Sequence, residues 1–178
     1  TIVNSGYVTM PHISGEARLF KVYPVLKDGG SLVVSETTQP NDVLFGDMSI
    51  ENGATLTVNG TYNAKANITV KSGGKIIAGP NGKIIFDPNK GLIIDGNAQV
   101  NGTSNNRLTL DFNSSTAAGV EVRFYNALTM SYCNINNALI GINAEAASYI
   151  NISNVNFTNC QSSGIVLFSF GNGDSNLP

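Results

Sequence analysis

The sequence predicts an all-β protein, a β-solenoid of about seven coils of about 22 residues each behind a non-repeating N-terminal β cap. Three observations predict it. Gly30, Gly53, Gly74, Gly96, Gly119, Gly141 and Gly164 stand 23, 21, 22, 23, 22 and 23 residues apart, and most open a short apolar, β-prone stretch. Phe86, Leu108, Met130 and Ile152 recur every 22 residues in a second phase of the same period. Aligned on their glycines, the last coils read Gly119-Val-Glu-Val-Arg, Gly141-Ile-Asn-Ala-Glu and Gly164-Ile-Val-Leu-Phe. Val120/Ile142/Ile165 and Val122/Ala144/Leu167 then form two stacked columns with the period of two that marks a strand with one buried face. No stretch carries a helical period.

In chain order, residues 1–27 do not repeat. Val3, Tyr7, Val8 and Met10, then Leu19, Phe20, Val22, Tyr23 and Val25, predict two or three strands before the Lys27-Asp-Gly-Gly30 turn. A solenoid end needs covering, so this segment reads as a cap or as the tail of a preceding β domain. The solenoid follows over 28–178. The coil at Gly53 turns Ala54, Leu56 and Val58 inward. Those at Gly74 and Gly96 fit better shifted by one residue, with Ile76/Ala78 and Ala98/Val100 inward. Gly79-Pro-Asn-Gly82 and Asp95-Gly-Asn97 have the chemistry of tight corners. After Leu167 the chain runs in the rhythm of another coil with Phe170 and Leu177 and no cap, so both ends look cut. Further coils or a second domain are expected beyond Pro178, with self-association through this end. On this register Leu167 is a core position, and Leu167→Asp should cost several kcal/mol.

Composition fits a narrow core. Hydrophobic content is 42% with 12% charge and no Trp, while 24 Asn and 19 Gly supply corners. Asn134 with Asn156, and Asn137 with Asn159, repeat at the coil period and should hydrogen-bond along the axis. A net charge of −2 lacks the footprint of a nucleic-acid binder. No membrane-spanning run or signal peptide is present. Cys133 and Cys160 are out of phase by five positions after one coil; a disulfide and two core thiols both remain open. The sequons at Asn59, Asn67, Asn101, Asn113, Asn151 and Asn156 are read as incidental in so Asn-rich a chain.

Gly102-Thr103, a short polar loop and Leu108-Thr-Leu-Asp-Phe112 carry a resemblance, as do Leu128-Thr-Met-Ser-Tyr-Cys-Asn-Ile135 with Gly141-Ile142, and Ile152 to Cys160 with Gly164-Ile-Val-Leu167. Over roughly residues 44 to 170 the chain resembles the right-handed parallel β-helix, or pectin-lyase-like, superfamily of secreted bacterial repeat proteins, with Arg107 where a Pro is usual. The resemblance implies the right-handed parallel β-helix fold. It leaves function open, because enzymes, adhesins, phage tailspikes and passive surface proteins share these coils.

Lyases resembling this chain set Asp residues for Ca²⁺ and an Arg or Lys base on one sheet, and the hydrolases cluster three Asp with Gly-His-Gly and Arg-x-Lys motifs; neither set is in the sequence. His12, the sole His, reads as a cap or surface residue. Asp87, Asp95 and Asp111 fall in different phases and read as turn residues. No catalytic residue, cofactor or metal site is assigned. The best candidate binding patch is Glu121, Arg123, Asn143, Glu145 and Phe168, all outward on one sheet with Val166, and with Arg123 over Glu145 at about the 4.8 Å coil spacing. It is either a solvated ion pair or a ligand site to which Phe168 lends a stacking face.

The expectation is a secreted or cell-surface β-helix scaffold with a structural or recognition role, contacting polysaccharide or surface proteins and not nucleic acid. It leans non-catalytic. The alternatives are a fragment of a polysaccharide lyase or glycoside hydrolase whose catalytic coils lie outside this chain, and a phage-type fibre segment.

Overall fold

Alternating apolar residues four or five at a time, broken by Asn and Gly, dictate short strands that each bury one face and then turn a corner. The computed structural model describes residues 20–22, 25–26, 29–34, 43–45, 47–113, 118–146 and 148–168. Among them every strand pairing is parallel, no helix occurs, and the chain winds as a parallel β-solenoid of about five turns.

The chain enters through β1 (Phe20–Val22), β2 (Val25–Leu26), β3 (Ser31–Val34), β4 (Val43–Phe45) and β5 (Met48–Ile50). Five complete turns follow, each crossing three faces. They are β6 (Thr55–Val58), β7 (Thr61–Ala64) and β8 (Ile68–Lys71); β9 (Lys75–Ala78), β10 (Lys83–Phe86) and β11 (Leu92–Asp95); and β12 (Asn97–Asn101), β13 (Leu108–Asp111) and β14 (Ala118–Val122). In the last two, β15 (Ala127–Asn136) and β17 (Tyr149–Thr158) each cover the first two faces in one bent strand, followed by β16 (Ile140–Ala144) and β18 (Ser163–Leu167) on the third.

Each face contributes columns to one continuous core. On the first face Leu56, Ile76, Val100, Met130 and Ile152 lie over one another. On the second, Tyr62, Ile84, Leu110, Ile135 and Phe157 do so. The third carries Met48, Ile68, Leu92, Val120, Ile142 and Ile165. Most are wholly buried, so each turn's apolar surface is removed from water by the turns above and below it. Ala54, Leu56, Val58, Ile76, Ala98 and Val100 point inward as expected, with Ala78 packed against the core.

The corners belong to Asn. Asn52, Asn81, Asn89, Asn113, Asn137 and Asn159 all take positive φ, a region Asn enters at lower cost than other side-chain-bearing residues. The expected amide ladders form: Asn156 Nδ2 donates to Asn134 Oδ1 at 3.1 Å, and Asn159 Nδ2 to Asn137 Oδ1 at 3.1 Å. Asn134 goes on to donate to Thr109 Oγ1 and Asn137 to Asp111 Oδ1. Arg107 donates to Asn134 Oδ1 at 2.8 Å, to the Cys133 carbonyl at 2.9 Å and to the Asn154 carbonyl, pinning the bends of the two following turns. Both cysteines are free. Cys133 lies in the core and Cys160 is half-buried against it.

Four expectations are corrected. The complete turns number about five, not seven: after β3 the chain enters β4, which pairs with β1 in a separate two-stranded sheet rather than with β7. The glycine ladder is not one column. Gly30, Gly53, Gly74 and Gly96 precede first-face strands, whereas Gly119, Gly141 and Gly164 lie inside third-face strands. The slip arises because turn length varies from 20 to 30 residues, being greatest where the Gly102–Arg107 loop intervenes and Asn101 pairs with Ser131. The second ladder fails for the same reason. Phe86 stacks on Phe112, with ring centroids 4.8 Å apart and planes 7° apart, and Leu108 pairs with Cys133; of that series only Met130 and Ile152 are true neighbours.

The columns Val120/Ile142/Ile165 and Val122/Ala144/Leu167 are present as read, but their last members are not core. Ile165 is 38% and Leu167 66% exposed, because no described turn follows them. The glycines at the start of these columns have a packing reason. A Cβ on Gly119 would lie 2.7 Å from Phe112 Cε2, and one on Gly141 2.6 Å from Phe157 Cδ1 and 2.5 Å from the Gly164 carbonyl. The segment read as a cap up to Leu19, His12, and the stretch from Ser169 to Pro178 lie outside the described residues. β2, at the end of the segment read as cap, already pairs with β5 on the third face.

Candidate functional site

Where the third face turns into the first, one rim position repeats in every turn. Glu51, Lys71, Asp95, Arg123, Glu145 and Phe168 occupy it, as the ladder pairs and the backbone bonds Glu145 N to Val122 O and Phe168 N to Ala144 O establish. The charges alternate in sign until the aromatic Phe168. Lys71 meets Glu51 at 3.2 Å and Arg123 meets Asp95 at 3.8 Å. At about the coil spacing such pairs, half-exposed, contribute a few tenths of a kcal/mol each and chiefly fix register.

The predicted patch is therefore assembled, with one difference in chemistry. Glu121, Asn143 and Val166 form one outward row, and Arg123, Glu145 and Phe168 the next. Arg123 does not pair with Glu145. Its Nε lies 3.4 Å from Glu121 Oε1, and the Glu145 carboxylate instead accepts the Phe124 N–H at 2.9 Å. The reason is local. The chain turns sharply at Arg123, with Asn126 N–H bonded to the Arg123 carbonyl, and this aims the Phe124 N–H at the turn below. Ser148 Oγ donates to that same carbonyl at 2.8 Å. Asn143 Oδ1 is buried within this row and accepts no hydrogen bond from the described residues.

Phe124, Tyr125 and Tyr149 were not singled out from the sequence. Phe124 and Tyr125 sit at the tip of the Arg123–Asn126 corner in an edge-to-face contact, with centroids 4.5 Å apart and an interplanar angle of 83°. Tyr125 is 75% exposed and Tyr149, which follows the equivalent corner one turn on, is 67% exposed. Tyr125 holds φ at +60°. Apart from Tyr132, every other non-glycine positive φ among the described residues belongs to Asn. The available signal was positional: corners built elsewhere from Asn-Gly or Ser-Gly-Gly here carry Phe-Tyr.

All the described carboxylates are engaged. Asp87 pairs with Lys65 at 3.1 Å and Asp111 with Lys83 at 2.9 Å, Asp47 accepts the Asn67 N–H, and the others belong to the rim just described. Asp87 and Asp95 hold corner-side positions as read; Asp111 ends β13. Burial alone would raise the Asp111 carboxyl, but hydrogen bonds from Asn137 and Lys83, the Lys83 charge and the Asn113 backbone together hold it below its ordinary value. Among the described residues no group of three or more His, Cys, Asp or Glu is placed to hold a metal ion, and no helix is long and apolar enough to cross a membrane. No protein-family model, curated protein or solved structure matches the chain.

Proposed function

We propose that this chain is a secreted or cell-surface β-helix scaffold of the pectin-lyase-like kind, without catalysis of its own, that recognises glycans at the aromatic corner of its fourth turn. One observation carries the reading. Tyr125 is displayed almost fully to solvent in a left-handed backbone conformation, which costs a non-glycine, non-Asn residue about 1–2 kcal/mol and persists where the surroundings enforce it. Phe124 packs edge to face against it, and exposed rings recur along the same side of the solenoid, Tyr149 one turn on and Phe168 at the rim two turns on. Sugar rings present faces of C–H groups that pack on aromatics, and a preformed platform loses little entropy on binding.

The border supplies hydrogen-bonding groups for hydroxyls: Arg123, Glu121 and Glu145. With Asp95, this border holds three carboxylates against one guanidinium, which favours neutral or amino sugars over uronates. The engagement of the described carboxylates in ion pairs or backbone hydrogen bonds supports the non-catalytic reading. The test is titration with neutral and amino-sugar oligosaccharides, read by NMR shifts and calorimetry. Tyr125→Asn, which suits the same backbone, should weaken binding about tenfold or more, a loss of about 1.4 kcal/mol, at thermal stability equal to or above that of wild type. Unaltered affinity in that variant, or no saccharide binding at all, would sink the proposal.

A further inference from the structure

The outer surface of the first face changes character along the solenoid. Strands β12, β15 and β17 pair there as Asn97/Ala127/Tyr149, Gln99/Thr129/Asn151 and Asn101/Ser131/Ser153, three rows across three turns. These residues alternate with inward-facing neighbours and so point to solvent. None carries a formal charge. One turn earlier the same face carries Lys75, and the outward rows of the other two faces carry Lys83 and Asp111, and Glu121. The uncharged grid has two distinct ends. At one, Tyr149 stands over the small Ala127, which directly follows the corner that displays Tyr125. At the other, Asn101 runs into the Gly102–Arg107 loop. There the Thr103 N–H donates to the Asn106 carbonyl at 2.8 Å and the Asn106 N–H to Thr103 Oγ1 at 3.0 Å, and Thr103, Ser104 and Asn105 are exposed.

We propose that this grid continues the aromatic corner into a binding trough for a neutral oligosaccharide chain, lying along the strands from Tyr125 and Tyr149 to the Gly102–Arg107 loop. The inference rests on the glycan reading of that corner and adds that the ligand is a linked chain, not a single sugar. Ring placement requires a chain. Tyr125 and Tyr149 are offset by one turn, about 5 Å along the axis, and by two residue positions, about 7 Å along the strand, so one pyranose cannot stack on both. The gap at Ala127 separates them. Charge selects the chain. Carboxamides and hydroxyls both donate and accept, as sugar hydroxyls do, and no ion in the grid has to be desolvated when a ligand covers it. A uronate polymer or a charged protein surface finds no counter-charge there. From Asn97 to Asn101 the strand spans about 13 Å, room for about three linked pyranose rings; with one more on Tyr125, a tetrasaccharide fills the trough.

The experiment titrates the full chain by calorimetry with cello-, xylo-, manno- and N-acetylchito-oligosaccharides of one to six units. In the series that binds, affinity should rise at least about tenfold from disaccharide to tetrasaccharide and then level off at the loop. Gln99→Ala combined with Asn151→Ala, both at exposed outward positions, should remove that gain while leaving disaccharide affinity within about twofold and far-UV circular dichroism unchanged. Tyr125→Asn should weaken both lengths. Equal wild-type affinity for disaccharide and tetrasaccharide, or a double variant that keeps the gain, overturns the trough and leaves the corner reading standing. An affinity still rising at six units overturns the loop as its boundary. Absence of binding at every length overturns the corner reading and this inference with it.

Discussion

Val122, Ala144 and Leu167 occupy one column on three successive turns, yet their exposures are 0%, 1% and 66%. The same substitution should therefore cost very different amounts along it. Val122→Asp puts a carboxyl where every neighbour is apolar. An unpaired buried charge falls among the few changes costing about 4 kcal/mol or more, and taking up a proton would relieve only part of that. Leu167→Asp removes a side chain about one-third buried. A fully buried leucine contributes about 1.5–3 kcal/mol, so the loss should be about 1 kcal/mol or less. Urea unfolding followed by far-UV circular dichroism, at a concentration where the chain is single, gives both values. A Val122→Asp variant as stable as wild type would refute the register. Equal losses at the two sites would show that the last turn is covered from within the chain.

Two further expectations follow from the same packing. Burial pushes the Cys133 thiol up to about 12, against smaller opposing effects of the Gly102 and Ser131 backbone and the Arg107 charge, while Cys160 is raised less deeply inside the protein; iodoacetamide at mildly alkaline pH should label Cys160 in the native state and Cys133 only on unfolding, and equal rates by mass spectrometry would contradict the placement. Because the folded Asp111 carboxyl lies below its ordinary value, its stabilisation is present above the unfolded pKa and is lost as pH falls through the folded one; the gap in melting temperature between wild type and Asp111→Asn should be full near neutral pH and shrink below about pH 4, and a gap that does not change with pH would refute the linkage.

The solenoid was legible because burial by stacking leaves a local mark: alternation inside each strand and Asn or Gly between strands. The inward residues of the first-face and third-face strands could be read directly for that reason. What local pattern cannot encode is which corner a glycine occupies. Gly96 and Gly119 are a coil length apart in sequence, yet one lies at a corner and the other beneath the Phe112 ring, because the turn between them runs 30 residues where those before it run 20 and 24. Stacked pairs at constant spacing, such as Asn134 with Asn156, survived because the last two turns carry no insertion between them. The Arg123 and Glu145 positions were likewise right. Their pairing was not, since a side chain's partner depends on where a four-residue corner aims a backbone N–H.

The same logic explains why the aromatic corner went unseen and why it bears on function. In a solenoid the inward positions are fixed by neighbouring turns, so a corner is where a sequence can change without loss of fold. Asn and Gly fill the corners of the earlier turns because the left-handed backbone costs them least. Tyr125 meets that cost and gains no burial, being 75% exposed. The strain is held by the turn beneath it: the Glu145 carboxylate takes the Phe124 N–H, Ser148 Oγ takes up the Arg123 carbonyl, and Tyr149 N–H bonds to Asn126 O at 2.9 Å. Three bonds from the next turn thus rigidify a corner that displays its rings to solvent. A fold needing only a corner would place Asn there, as it does at Asn52 and Asn81, so the cost falls on presentation of the rings rather than on the turn.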